Sequence, residues 1–349
     1  MCTDYTDLAY IKTVNAPGRL RFDAPAASQA AQLIQYRSIV EAWRRNLSVG
    51  LDWYRDFSAI YLDTERQYTD TDTLSFVCAG SQWLLFSRII SWFAATANRS
   101  AFVGVPAETI MKTLVEYNAG PSALMVNGRQ EANGNITGLT VQADAGGGTV
   151  RDWYCAYDRL LPSLQKLAPI AGGDFDLVQT GSATFQFRFY AGQLGTDRTA
   201  TVVFDLLRGN MANPKYSFTR SSAVQRAIIG GQGNDATRLL STVTGLDYAA
   251  GLTDIEMFVD ARDIPLAAGV GALDDRGLSK LSGVQSREKF QFDVIQTASA
   301  YYGLHYFLGD LVTAVRWFDR ATVIEKVNSV GVQFQKDGAE IVDVQMQEV

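Results

Sequence analysis

In SAVQRAIIGGQGNDATR (residues 222–238), the apolar run Ala227, Ile228 and Ile229 leads into Gly230, Gly231 and Gly233. A strand that ends in glycines can cradle phosphate, so the spacing is decisive. A phosphate loop of the G-x-x-x-x-G-K-[ST] kind needs a lysine to reach the phosphates; Thr237 is present and the lysine is not. A dinucleotide loop needs a third glycine where Ala236 stands, and then a helix. The following TRLLSTVTG (237–245) carries β-branched residues and reads as a strand, which leaves no helix N-terminus to hold an anion. The stretch is expected to be a strand, a turn and the next strand.

Other chemistry is equally thin. His305, in YYGLHYFLGD, is the only histidine, so a histidine metal site or a Ser-His-Asp triad would rest on it alone. No G-x-S-x-G elbow accompanies it, and alternation from Leu304 to Phe307 predicts a strand with a structural histidine. Acidic pairs occur at Asp174/Asp176, Asp254/Glu256 and Asp260/Asp263. Two carboxylates roughly 5–10 Å apart can cleave a glycosidic bond, and residues two apart on a strand share a face. Strand ends and turns also collect aspartates for solvation and capping, which is the expected role here. Cys2, Cys78 and Cys155 form no C-x-x-C pair, and Cys78 reads as a small core hydrophobe. No D-x-[DN]-x-[DN]-G calcium loop occurs. These readings assign no catalytic, cofactor-binding or metal-binding residue and call for no cofactor.

The elements that would position such groups are mostly short strands. In GRLRFDAP (18–25), Leu20, Phe22 and Ala24 alternate with Arg19, Arg21 and Asp23; in ATFQFRFY (183–190), Phe185, Phe187 and Phe189 share a face. REKFQFDVIQT (287–297), TVVFDLL (201–207) and TLSFVCA (73–79) are β-like, and residues 328–347 form a hairpin turning at Lys336-Asp337-Gly338. Helices are predicted over 106–118, with Ile110, Met111, Leu114 and Val115 on one stripe, and over 158–169, with Pro162 in the first turn. A short helix is expected within 80–90 and a weaker one over 271–283, around Gly277. Without a regular β-α-β-α alternation, the fold class is α+β, mainly antiparallel β.

Composition bounds the function. The chain has 349 residues, 47% apolar and 19% charged, with a net charge of −6, which is ordinary globular composition and enough for two or three domains. The acidic balance and the lack of a Lys/Arg block argue against a protein that grips nucleic-acid phosphates. MCTDYTDLAY has no apolar signal core, WLLFSRIISWFAATA (83–97) is too short to span a bilayer, and the cysteine usage fits a protein made in a reducing cytoplasm.

The order of these patterns resembles the hub, or tail-tip, proteins of long-tailed bacteriophages. GGTVRDWYCAYDRLLPSLQKLAPIAGGDFDLVQTGSATFQFRFY gives a strand, a Leu-rich helix and two strands, and VVFDLLRGNMANPKYSFTRSSAVQRAIIGGQGND and EMFVDARDI follow. NAPGRLRFDAP and FVCAGSQWLLFSRII resemble the family's early segments; LGDLVTAV and VIEKVNSVGVQFQKDGAEIVDVQ resemble its late strand and closing hairpin. The resemblance implies tail-tube-like β-barrel domains with a few short helices: one over 1–100, a smaller α+β domain over 101–200, and a second tube-like domain with the C-terminal hairpin over 201–349. It implies a non-enzymatic virion protein, a homotrimer at the distal end of the tail tube, in which two tube-like domains per chain imitate a six-fold ring. The implied partners are the distal tail protein ring, the tape-measure protein, and a central fibre or receptor-binding protein. DNA would pass through the lumen without specific binding, so the lumen is expected to lack clustered Lys/Arg. A non-contractile tail is the expected type, and any cell-wall hydrolase is expected on another chain.

Two alternatives stand beside this. One is a cell-wall glycan hydrolase or glycan-binding tail module, with Trp53, Tyr54, Trp153 and Tyr154 stacking on sugars; core or subunit-interface roles are the expected ones. The other is a hexameric tube or distal-ring subunit.

Overall fold

The computed structural model describes residues 4–245, 248–249, 254–334 and 340–348. The first segment holds β1 (Asp7–Thr13), β2 (Ala16–Pro25), α1 (Gln29–Leu33), β3 (Ile39–Asn46), β4 (Leu51–Tyr68) and β5 (Asp72–Gly80). The middle segment holds α2 (Trp83–Phe86), β6 (Ala95–Thr96), β7 (Arg99–Pro106), α3 (Ala107–Asn118), β8 (Leu139–Val141), β9 (Val150–Cys155), α4 (Leu160–Leu167), β10 (Gly173–Gln179) and β11 (Phe185–Ala191). The last begins with β12 (Val203–Phe204), β13 (Met211–Thr219), β14 (Arg226–Gly230), β15 (Leu240–Thr244) and β16 (Glu256–Asp260). It continues with α5 (Gly271–Leu281), β17 (Arg287–Val294), β18 (Leu311–Val315), β19 (Thr322–Phe334) and β20 (Glu340–Glu348).

The fold is α+β and mainly antiparallel, with parallel pairing where β8 meets β11, β12 meets β18 and β14 meets β16. A nine-stranded sheet runs in the order β12-β18-β19-β1-β2-β5-β4-β3, with β20 on β19. Its strands come from both ends of the chain. The seam is β1 against β19, from Leu8 opposite Phe334 to Thr13 opposite Ser329. Lys326 is opposite both Leu311 and Gln347, and Phe334 is opposite both Leu8 and Glu340. Thus β18 and β1 lie end to end along one edge of β19, and β20 covers the other.

Period-2 alternation decides which face is buried. Tyr10, Leu20, Cys78, Val330 and Val332 point one way and join a core with Phe290 and Phe292 of β17 and with Tyr302 and Tyr306. Each buried aromatic or aliphatic side chain there contributes roughly 1.5–3 kcal/mol. The β13–β17 ribbon covers this face, its Met211, Phe290 and Phe292 packing into the same core.

A second core sits in the middle segment. Ile110, Met111, Leu114 and Val115 of α3, and Leu160, Leu161, Leu164 and Leu167 of α4, pack on Phe175, Phe187 and Phe189 of β10 and β11. Pro106 precedes α3 and Pro162 lies in the first turn of α4, where a missing N–H costs nothing. Asn118 ends α3: its Nδ2 donates to the Leu114 carbonyl at 2.9 Å, and its Oδ1 accepts from the Ser91 and Trp92 amides.

The third core is small. The sheet β15-β14-β16 packs under α5, with Ala227, Ile229, Val259 and Leu273 buried. Gly277 has a packing role. A Cβ there would come within 2.7 Å of both Ile229 and Val243 side chains, so only glycine lets the helix settle on this sheet.

Several expectations need correction. The division near residue 100 falls inside β7, because Leu85 and Ile90 already belong to the middle core. The segment 201–349 does not stand apart from 1–100, since both feed the nine-stranded sheet, and it carries the third core besides. The helix within 80–90 shortens to α2, because β5 runs on to Gly80. The strand expected around His305 is a turn: Nδ1 of half-buried His305 accepts the Tyr301 amide at 3.1 Å, and the His305 amide donates to the Tyr301 carbonyl. The 328–347 hairpin forms as β19 and β20; its turn at Lys336-Asp337-Gly338 lies outside the described residues.

Candidate interaction surface

The outer face of the large sheet carries what the core rejects. One cross-strand row runs Ile341, Gln333, Ala9, Arg21, Val77, Asp63. A second runs Asp343, Gly331, Ile11, Arg19, Ala79, and a third Asp7, Asp23, Ser75, Glu65. Ile11, Arg19, Arg21, Asp63, Glu65, Gln333, Ile341 and Asp343 are exposed. Six strands at the usual spacing make the first row about 24 Å wide. Its basic members are Arg19 and Arg21; Asp7, Asp23, Asp63, Glu65 and Asp343 outnumber them, and Arg21 lies 3.8 Å from Asp23. The face is therefore broad, flat in chemistry and without a basic cluster.

Behind it, a largely buried polar network borders the core. Lys12 follows Leu8 and Tyr10 on the inward face of β1, where its ammonium meets Asp56 of β4. The Asp56 carboxylate also accepts the Tyr10 hydroxyl at 2.6 Å and the Tyr302 hydroxyl at 2.9 Å. Burial pushes this carboxyl up, but Lys12, the Tyr10 hydroxyl and Arg44 outweigh burial and hold it below the ordinary carboxylate range. Arg44 donates to the Tyr54 hydroxyl at 2.6 Å and pairs with Glu340 of β20. The network ties β1, β3, β4, β20 and the Tyr302 turn together. Composition hid it, although a lysine on the apolar side of DLAYIKT was a visible signal.

The acidic pairs are engaged in structural contacts. Asp174 accepts from Lys326 at 2.5 Å, Asn15 at 3.0 Å and the Leu194 amide at 2.8 Å, which fastens β10 to the large sheet. Asp176 accepts from Gln82 at 2.9 Å. Glu256 stands in register with Arg226 and pairs with it, and Asp254 is 3.9 Å from the same guanidinium. Asp260 pairs with Arg238 and Asp263 with Arg276. Among the described residues, no three or more His, Cys, Asp or Glu are placed to share a metal ion.

The glycine stretch is a strand, a turn and a strand. β14 pairs antiparallel with β15, and the linker holds a 3-10 turn over Asp235–Thr237. Gly233, at φ +118°, supplies a left-handed residue that a side chain resists. Arg238 folds back over the glycines, donating to the Gly230 and Gly231 carbonyls. Trp153 and Tyr154 are core residues, whereas Trp53 is 44% exposed with Arg45 stacked over it at 4.7 Å. Cys78 and Cys155 are buried, which pushes both thiols up to about 12; Cys2 lies outside the described residues.

The fold has counterparts. The profile of the Siphovirus ReqiPepy6 Gp37-like protein family matches residues 1–346. The chain belongs to that phage tail protein family. The 43 kDa tail protein of prophage MuSo2 from Shewanella oneidensis is similar in structure at a TM-score of 0.56 and 11% identity, over 98% of this chain and 94% of that one. A tail protein from Neisseria meningitidis MC58 gives 0.54 at 8% identity, over 99% and 92%. Prophage tail protein gp18 from Listeria monocytogenes EGD-e gives 0.52 at 10% identity, over 98% and 90%. At such identities the likeness is one of fold, and each counterpart is itself a tail protein. No curated protein sequence matches the chain.

Proposed function

We propose that this tail protein is the hub at the distal end of the tail, a structural and non-enzymatic part in which three copies close a ring under the tail tube. The outer face of the nine-stranded sheet lines the bore. The observation that carries this reading is the β1–β19 seam, which joins sheet segments from the two ends of the chain edge to edge. Repeating such a contact between copies closes a ring when the rotation completes, and three chains then supply six sheet segments. The middle unit and the α5 unit decorate the outside.

The charge of the proposed lining supports the same reading. Duplex DNA carries one negative charge per roughly 1.7 Å, so a basic lining would hold it. A face where Asp7, Asp23, Asp63, Glu65 and Asp343 surround Arg19 and Arg21 lets DNA slide. The neighbours are then the distal tail ring above, the tape-measure protein in the lumen, and a central fibre or receptor-binding protein below, in a non-contractile tail. Sugar cleavage is not proposed, because Asp174, Asp254, Glu256, Asp260 and Asp263 are ion-paired with Lys326, Arg226, Arg238 and Arg276, which leaves Asp176 without a second free carboxylate among these pairs. The test is the mass of the purified protein in solution. A trimer is expected; a stable monomer or a hexamer overturns the hub arrangement.

A further inference from the structure

A cleft of about 580 Å³ with a mixed polar and apolar lining lies where β1 and β4 of the large sheet face β10 of the middle unit. That volume holds a ligand of a few residues. The cations at its walls are already matched: Lys12 with Asp56, Arg198 with Asp310 at 2.6 Å, and Arg55 with Glu41 at 3.0 Å. Two acceptors are left over. Among the described residues the half-buried Asp176 carboxylate has no direct ion pair, although the charges of Lys12 and of Arg188, opposite it on β11, favour its ionised form; Gln82 Nε2 and the Leu177 amide both donate to its Oδ1. Gln82 is 4% exposed, and its buried Oε1 receives no hydrogen bond from the described residues. A buried acceptor without a donor is costly, and a carboxylate beside it wants a positive charge.

We propose that this cleft receives a cationic side chain, a lysine ammonium or arginine guanidinium, on an extended segment of a partner protein. Both groups offer donors and no acceptor, which complements the acceptors on the wall. A neutral hydroxyl or amide satisfies Gln82 and leaves Asp176 without a direct ion pair. Among the described residues, an anion finds each cation lining the cleft already paired. The site lies at the junction of the two units and not on the outer face of the sheet.

The experiment is calorimetric titration of the whole protein with acetyl-Gly-Arg-Gly-amide and acetyl-Gly-Lys-Gly-amide. Acetyl-Gly-Gln-Gly-amide and free spermidine are the comparison arms. The two basic peptides are expected to bind and to compete with one another, and the glutamine peptide is expected to bind at least about tenfold more weakly. Asp176→Asn, which keeps an oxygen for Gln82, is expected to cut the affinity about tenfold or more. Gln82→Met is expected to weaken it as well, and decides the matter if Asp176→Asn melts early. Equal binding of the glutamine peptide, unchanged affinity in both variants, or no heat up to about 10 mM peptide overturns the proposal. Spermidine binding more tightly than either peptide makes a free polyamine the ligand and overturns the partner segment.

Discussion

Glu325 of β19 stands directly opposite Glu348 of β20, inside the core face of the sheet. Neither oxygen of Glu325 has a hydrogen-bond partner among the described residues. Burial, aided by the Glu348 charge, pushes its carboxyl from 4.5 up to about 8.

This pair sets a pH dependence. The folded chain holds the Glu325 proton more tightly than the unfolded chain, so folding gains nothing from it below pH 4.5 and loses stability as pH rises toward about 8. Glu325→Gln is therefore expected to be more stable than the parent by about 2–4 kcal/mol above pH 8, with the two converging near pH 4.5. Urea unfolding at a series of pH values checks this; parallel curves at all pH values contradict it.

The Asp56 network makes the opposite kind of prediction. Lys12→Met strips the buried Asp56 carboxylate of its ammonium and is expected to cost about 3 kcal/mol. Adding Asp56→Asn is expected to cost much less than the sum of the single changes. A double-mutant cycle on denaturant midpoints reads the coupling, and simple additivity refutes it.

Gly277 is a packing site, so Gly277→Val is expected to lose about 1–3 kcal/mol through overpacking. Combining it with Ile229→Ala is expected to restore part of that loss, because the added Cβ meets the Ile229 side chain first. Thermal melts of the three variants are the check.

How much of this was legible in the sequence depends on the element. Where alternation is clean, as in β2 and β11, the strand and its buried face were both readable. So were α3 and α4, each with an apolar stripe and a proline at its start. β4 was not: its eighteen residues pass a register shift between Tyr61 and Asp63, which breaks the alternation that would announce it. The joining of both chain ends in one sheet was invisible, because edge pairing leaves no local pattern. The Asp56 network needed residues 12, 44, 56 and 302 brought together, and sequence spacing carries no such information. Asp176 stood out as one of two aspartates; what isolates it is the partner its neighbour Asp174 finds in Lys326, far along the chain.

The charge of the outer face has its own consequence. Reversing Asp23 and Asp63 to lysine is expected to give the assembled protein a salt-sensitive affinity for duplex DNA that the parent lacks, since each added phosphate contact steepens the salt dependence. Fluorescence anisotropy across a salt series measures it. Strong binding by the parent counts against a DNA-passing face.

The orientation of that face in the assembled tail is the most direct test. Electron cryomicroscopy of tail tips is expected to show Arg21, Val77 and Asp63 turned toward the axis of a ring of three chains, bordering the open or plugged bore. A ring in which those side chains point outward, or lie covered by another protein of the tail wall, contradicts the account.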